Sequence, residues 1–181
     1  INPLYMVCLL WLGFSIPAQA APFAYITNSL VKKVSVIDTA AHTVIKTITV
    51  GTGPEALAVS PDGTRVYVAN SASNSISVIN TATHTVMATV SGVGATPVGV
   101  AVSPDGSRVY VANEVSNTVA IIDARTNTII GSLEDSGNGE TGFNGPSGIA
   151  VHPAGTFLYV TNSASGANSI SVIDLSTSPP T

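Results

Sequence analysis

The chain repeats itself, and that limits it to few folds. Tyr25-Ile26-Thr27-Asn28 returns as Tyr67-Val68-Ala69-Asn70, Tyr110-Val111-Ala112-Asn113 and Tyr159-Val160-Thr161-Asn162, at spacings of 42, 43 and 49 residues. A second motif keeps step with it: Ser60-Pro61-Asp62-Gly63, Ser103-Pro104-Asp105-Gly106 and His152-Pro153-Ala154-Gly155. A third follows each tyrosine, as Val36-Ile37-Asp38, Val78-Ile79-Asn80, Ile121-Ile122-Asp123 and Val172-Ile173-Asp174. Three motifs in fixed order mark repeats near residues 24–53, 54–96, 97–145 and 146–175. A period in the low forties is that of a four-stranded propeller blade.

Each full repeat resolves into four strands, here lettered a to d. The apolar run Ala56-Leu57-Ala58-Val59 is a, and Ser-Pro-Asp-Gly turns it back onto b, Val66-Tyr67-Val68-Ala69. Proline presets φ at the first turn position, Asp suits the second, and Gly takes the left-handed site. Strand c is Ile76-Ser77-Val78-Ile79, and d runs from Thr85 to Val90. Strands b and c are almost continuously apolar, as a sheet covered on both faces requires, while d alternates as an outer rim does. With 45% hydrophobic and only 9% charged residues, the chain suits strands and tight turns and does not read as disordered. The expected fold is all-β: a β-propeller of four-stranded antiparallel blades, incomplete here, with about three and a half blades in an open arc. The first blade lacks a and the last lacks d. An arc leaves blade faces bare, so the reading is a fragment of a longer protein or a chain that self-associates through its open propeller ends.

The motifs Y-V-x-N, V-I-D and S-P-D-G, standing in register from residue 24 to 174, resemble the YVTN β-propeller repeat family. The resemblance implies an exported propeller of the periplasmic, secreted or surface-layer type, with lactonase-type and haem-d1-type propellers as more distant relatives. Ile26 in the first copy and His152-Pro153-Ala154-Gly155 in the last depart from the pattern without disturbing the fold.

Residues 1–20 read differently. An apolar run over residues 4–16 ends at Pro17-Ala18-Gln19-Ala20, an h-region followed by an A-x-A-like cleavage site. Thirteen residues at 1.5 Å each fall well short of a ~30 Å bilayer core, so a signal peptide is expected and no stable membrane span after its removal. Residues 21–181 are then the partial propeller. Cys8 lies inside the signal, which would leave the mature chain without thiol chemistry.

Few residues invite a chemical reading. The net charge is −4 and the six basic residues are scattered except for Lys32-Lys33, so no nucleic acid is expected as a partner. His42, His84 and Asn127 hold one turn position in successive repeats, and His152 stands where Ser60 and Ser103 stand. Turns favour such residues, and no local histidine pair supports zinc or haem. Asp38, Asn80, Asp123 and Asp174 close strand c in every copy, which points to acceptance of a backbone N–H in the turn that follows. Gly137-Asn138-Gly139-Glu140-Thr141-Gly142 matches a dinucleotide fingerprint in letters only, since no helical pattern follows it. Asp135, Asn138 and Glu140 carry oxygens that calcium accepts, but the spacing is not that of an EF-hand, so the stretch reads as a plain loop. No catalytic residue, cofactor or metal is expected.

The b–c and d–a loops differ from copy to copy, while the a–b and c–d turns are nearly the same in each. Recognition sits on loops that vary. Lys32, Lys33, Glu114, Asp135, Asn138, Glu140 and Phe143 are therefore the candidate border of a site for an unknown protein or cell-surface component. The expected function is a non-catalytic, exported binding or structural module. The alternative is a fragment of a propeller enzyme, a lactonase-type hydrolase or a haem- or quinone-dependent oxidoreductase, whose active-site blades lie elsewhere.

Overall fold

The computed structural model describes residues 23–134, 142–164 and 168–176; the expected signal over 1–20 lies outside them. Within these residues fourteen strands form four antiparallel sheets, each a meander in which every strand pairs with the next in sequence. Blade 1 holds β1 (Phe23–Asn28), β2 (Lys33–Asp38) and β3 (Thr43–Thr49). Blade 2 holds β4 (Pro54–Val59), β5 (Arg65–Asn70), β6 (Ser75–Asn80) and β7 (Thr85–Ser91). Blade 3 holds β8 (Pro97–Val102), β9 (Arg108–Asn113), β10 (Thr118–Asp123) and β11 (Thr128–Glu134). Blade 4 holds β12 (Pro146–Val151), β13 (Phe157–Asn162) and β14 (Ser169–Asp174). The described chain is an incomplete propeller, with three, four, four and three strands in its blades.

The repeated motifs build the turns by their own chemistry. In Ser60-Pro61-Asp62-Gly63 the Gly63 N–H donates to the Ser60 carbonyl at 2.8 Å, and Gly63 sits at φ +70°. Gly106 and Gly155 repeat this at +71° and +73°, the left-handed region that glycine enters without a Cβ penalty. The Ser60 hydroxyl accepts the Arg65 N–H at 2.9 Å and donates to Asp62 at 2.5 Å, which pins the hairpin. After strand c, Asp38 Oδ1 accepts the Ala40 and Ala41 N–H groups at 2.8 and 2.9 Å. Asn80 and Asp123 do the same for the turns that follow them, and Asp174 Oδ1 accepts the Ser176 N–H at 2.8 Å.

The blades stack through two unlike faces. The tyrosine face of one blade packs on the valine face of the next. Tyr25, Val34 and Val36 meet Val66, Val68 and Ile79; Tyr67, Ile76 and Val78 meet Val109, Val111 and Ile122; Tyr110, Val119 and Ile121 meet Leu158, Val160 and Ile173. In β5, β6, β9 and β10, which are covered on both sides, burial is almost continuous. In β13 and β14 it alternates, because Tyr159, Ile170 and Val172 show their tyrosine face to solvent. Blade 1 exposes Ile26 on its valine face.

Neighbouring sheets touch most closely along β4, β8 and β12, which identifies these inner strands as the hub of the fan. The outer strands β3, β7 and β11 diverge and are the most exposed.

Candidate functional site

The fan has two ends. One carries the a–b and c–d turns, and at each blade boundary on this side a cleft opens over the motif tyrosine. The cleft between blades 1 and 2 measures about 560 Å³ and is lined by Phe23, Tyr25, Val59 and His84 among others. That between blades 2 and 3 measures about 440 Å³ and is polar, with Asp62, Arg65, Asp105, Asp123 and Arg125 around Tyr67. The third is smaller, about 250 Å³, over Tyr110 with Arg108 and Asp105 at its rim.

The acids of the polar cleft are tied into their own turns. Asp105 is held down to about 2, first by the Ser103 hydroxyl and then by the N–H and hydroxyl of Ser107. Asp62 is lowered chiefly by the Ser60 hydroxyl, and Asp123 chiefly by the Thr126 N–H. Arg65 donates to the Ala124 carbonyl and ties blade 2 to blade 3. Carboxylates kept ionised in this way are turn-formers and are unsuited to general-acid work. Because Asp105 is depressed in the folded state, its contribution to stability is full above the unfolded value near 4 and is lost as pH falls toward 2. Acid titration followed by circular dichroism should show Asp105→Asn losing less stability over that window than the parent; an unchanged slope would remove Asp105 from this role.

His84 does more than its turn position suggests. Like His42 and Asn127 it takes a left-handed conformation, with φ of 50°, 55° and 56° for the three. Its Nδ1 also lies 2.9 Å from the Tyr25 hydroxyl, and its ring stands edge-on to Phe23 at 4.8 Å. Burial first, then Lys46, lowers its pKa and favours the neutral ring. His42 is exposed, and His152 Nδ1 accepts the Ala154 N–H at 3.1 Å.

The other end carries the loops that vary in sequence. Lys32, Lys33 and Glu114 are exposed there, Lys32 and Glu114 on the b–c connections of blades 1 and 3 and Lys33 at the start of β2. Lys32 is also structural: at φ 54° it fills the left-handed position held by Asn74, Asn117 and Asn168 in the other blades. Asn74 and Asn117 reach the next blade, accepting the Thr96 and Gly145 N–H groups at 2.9 and 2.8 Å. The b–c loops of blades 1 to 3 therefore share this turn although their sequences differ. The motif asparagines close these loops from inside: Asn70 Nδ2 donates to Ser77 Oγ at 3.0 Å, and Asn113 Nδ2 to the Val93 carbonyl at 2.7 Å. Phe143 is not at the surface; it is buried with Tyr110, Leu158 and Ile173, where no partner could reach it. Asp135, Asn138 and Glu140 lie outside the described residues.

Sequence reading passed over Glu55. It is the single charged residue on the three inner strands and it is exposed, at the loop-side end of β4. Its carbonyl accepts the Thr27 hydroxyl of blade 1 at 2.8 Å. Ser147 stands one step along the corresponding inner strand of blade 4, its hydroxyl 3.0 Å from Thr161 Oγ1. The hub mouth on this side thus carries a carboxylate and several hydroxyls. Among the described residues no group of three or more His, Cys, Asp or Glu is placed to hold a metal ion. No described helix is long and apolar enough to cross a membrane.

Four meander sheets stacked tyrosine face on valine face around a hub define a β-propeller. The chain belongs to the family described as lactonase, 7-bladed beta-propeller, whose model matches residues 18–139 and again 100–179. Among solved structures it resembles the Kuenenia stuttgartiensis hydrazine synthase, with TM-score 0.78 and 29% identity over 85% of this chain and 43% of that one. A functionally unknown protein from Desulfotomaculum acetoxidans shares the fold at TM-score 0.65 and 19% identity, over 78% of this chain and 44% of that one. This chain thus spans less than half the length of either. No curated protein matched it. The family match and the synthase neighbour overturn the expectation that the protein is not an enzyme: both point to an enzyme-related propeller family. Turns repeated at fixed register report the scaffold and leave the chemistry to other positions.

Proposed function

We propose that these blades form part of a seven-bladed, lactonase-type propeller that hydrolyses a cyclic ester. The family match over residues 18–139 and 100–179 carries the reading. In such a reaction water adds to the lactone carbonyl carbon, a base takes the water proton, the ring C–O bond breaks, and the freed alkoxide is protonated to give a hydroxy acid. Glu55 is the base these blades offer, an exposed carboxylate on a hub strand where neighbouring blades converge. Hydroxyls of Thr27 and Ser147 at the same mouth suit a polar, oxygen-rich substrate, and groups that polarise the carbonyl would come from the remaining blades of the ring.

The test is ester-opening activity of the whole ring on a panel of sugar and aliphatic lactones. Glu55→Gln should lower kcat about 100-fold with the melting temperature unchanged. Full activity in that variant would remove Glu55 from the mechanism. A ring inert toward every lactone and carrying a haem or quinone absorption would put the oxidoreductase alternative in its place.

Export belongs to the same proposal, supported by the apolar run over 4–16 and Ala18-Gln19-Ala20. N-terminal sequencing of the mature protein should begin Ala21-Pro22-Phe23. Recovery of Met6 in the mature product would contradict it.

A further inference from the structure

On the turn side each blade boundary sets a motif tyrosine against the c–d turn of the next blade, and the first two boundaries treat that tyrosine differently. At the first, the Tyr25 hydroxyl lies 2.9 Å from His84 Nδ1. At the second, Asn127 holds the place of His84 in the same left-handed conformation, with φ of 56° against 50°. Its side chain is shorter than that of histidine and makes no bond to Tyr67. Among the described residues the Tyr67 hydroxyl has no hydrogen-bond partner, and Asn127 Oδ1 is buried without one. Tyr67 is 1% exposed, yet it lines the cleft of about 440 Å³ between blades 2 and 3. A phenolic donor so nearly buried costs free energy unless the occupant of the cleft accepts from it. Both blades at this boundary have all four strands.

The rest of the lining defines the chemistry of that occupant. Asp62, Asp105 and Asp123 share the cleft with Arg65 and Arg125, so charge nearly balances. An anion would meet three carboxylates, a cation would meet two guanidinium groups, and the acids are not grouped to hold a metal ion. Apart from Pro61 and the Tyr67 ring, no apolar side chain larger than alanine is present to receive an apolar ligand. Each acid keeps acceptor capacity after its own turn is made. Asp62 Oδ2 and Asp105 Oδ2 each accept one hydroxyl, from Thr64 and Ser107, at 2.8 and 2.7 Å. Asp123 serves its turn through Oδ1. A carboxylate oxygen takes two hydrogen bonds, so acceptors remain on all three. Arg65 spends one guanidinium nitrogen on the Ala124 carbonyl and keeps other N–H groups, and Arg125 is exposed. Ligand hydroxyls match this mixture, because each one both donates and accepts.

We propose that the cleft between blades 2 and 3 is a binding site for a neutral sugar ring. One ligand hydroxyl accepts the Tyr67 O–H, the role His84 fills at the first boundary, while its neighbours donate to Asp62 and Asp105 and accept from Arg65. The volume is within the range of small-molecule sites. The third cleft is unlike it: it is smaller, about 250 Å³, and Ala154 stands where the other a–b turns carry Asp62 and Asp105. The site lies at the opposite end of the fan from Glu55 and is independent of the lactone chemistry.

The test titrates the 181-residue chain with the methyl glycosides of glucose, galactose and N-acetylglucosamine, which have no lactone to open, and follows backbone amide shifts. At least one glycoside should move the amides of Thr64, Arg65, Ser107 and Arg125 saturably, with a Kd of about 1 mM. Tyr67→Phe keeps the ring in the core and should weaken binding about tenfold. Asn127→His should rebuild the contact of the first boundary, cap the Tyr67 hydroxyl and abolish binding, in a turn position that His84 already tolerates in blade 2. Tyr110→Phe, in the third cleft, should bind as the parent does. Should Asn127→His melt early, Tyr67→Phe alone decides. No saturable shift with any glycoside at ~50 mM would overturn the proposal. So would parental affinity in Tyr67→Phe, shifts centred on Glu55 and Ser147, or a response of the same amides to phosphate or arginine where the glycosides give none. Failure of lactone hydrolysis has no bearing on any of these outcomes.

Discussion

Tyr67→Ala should destabilise the chain by about 3–5 kcal/mol, while Tyr159→Ala, at the same place in the same motif, should cost about 1 kcal/mol or less. Tyr67 is 1% exposed, in the middle of the cluster that joins blade 2 to blade 3, with Ile76, Val78, Val109 and Ile122 around it. Truncation there leaves a cavity between two sheets whose backbones are held by their own ladders, so little relaxation is available. Tyr159 is 37% exposed on the tyrosine face of blade 4, beside Ile170 and Val172, which are more than half exposed. Water already reaches that ring, so its removal forfeits little burial. Guanidinium denaturation of the two variants measures the difference directly. Equal losses would show that the face of blade 4 is covered in solution, by a further blade or a second copy. In the proposed seven-bladed ring the Tyr159 cost should rise to that of Tyr67, because three successive boundaries already show what a tyrosine face meets.

That contrast marks the limit of what the repeat reveals. The strands, their order and their turns were legible because each motif carries its own backbone instruction: proline and glycine for the a–b turn, Asp or Asn for the c–d turn. Burial was not, since Tyr67 and Tyr159 sit in the same motif and only their neighbours differ. The loop side conceals its structure for a related reason. Lys32, Asn74 and Asn117 look like variation, yet they serve one left-handed position, a property of φ that side-chain identity reports poorly when lysine occupies it. By sequence Phe143 belongs to the variable stretch 134–145, yet its ring fills the core between blades 3 and 4. Glu55 escaped notice because the inner strands were read for their apolar run, and its position at the hub depends on how the sheets converge. The contact of His84 with Tyr25 spans 59 residues and had no local signal.

Convergence at the hub also sets the second large effect. Gly99→Val should cost about 3 kcal/mol, at the upper end for overpacking, and should loosen blade 4 selectively. A Cβ at Gly99 on β8 would lie 2.1 Å from the Ser147 carbonyl oxygen on β12, 3.1 Å from Ile149 Cγ2 and 3.2 Å from Ala112 Cβ. The first of these is main chain, so no rotamer change relieves it and the two inner strands must separate. Separation in turn opens the cluster of Tyr110, Val119 and Ile121 against Leu158, Val160 and Ile173. A nearby control isolates the cause: Gly131 on the outer strand β11 has no atom within 4 Å of a built Cβ, so Gly131→Val should be close to neutral. Hydrogen exchange should show amides of β12 and β13 losing protection in Gly99→Val while β5 and β6 keep theirs. Uniform loss across all four blades would mean that the fan melts as one unit and that the hub contact between blades 3 and 4 holds no separate part of it. Retained protection in β12, with full stability, would show that the inner strands leave room for a side chain at Gly99. The same close approach bears on the proposed chemistry, because it fixes Ser147 beside the hub mouth that Glu55 borders from blade 2. In the intact ring, Gly99→Val should therefore weaken substrate binding before it affects the hydrolytic step, seen as a raised KM with kcat retained.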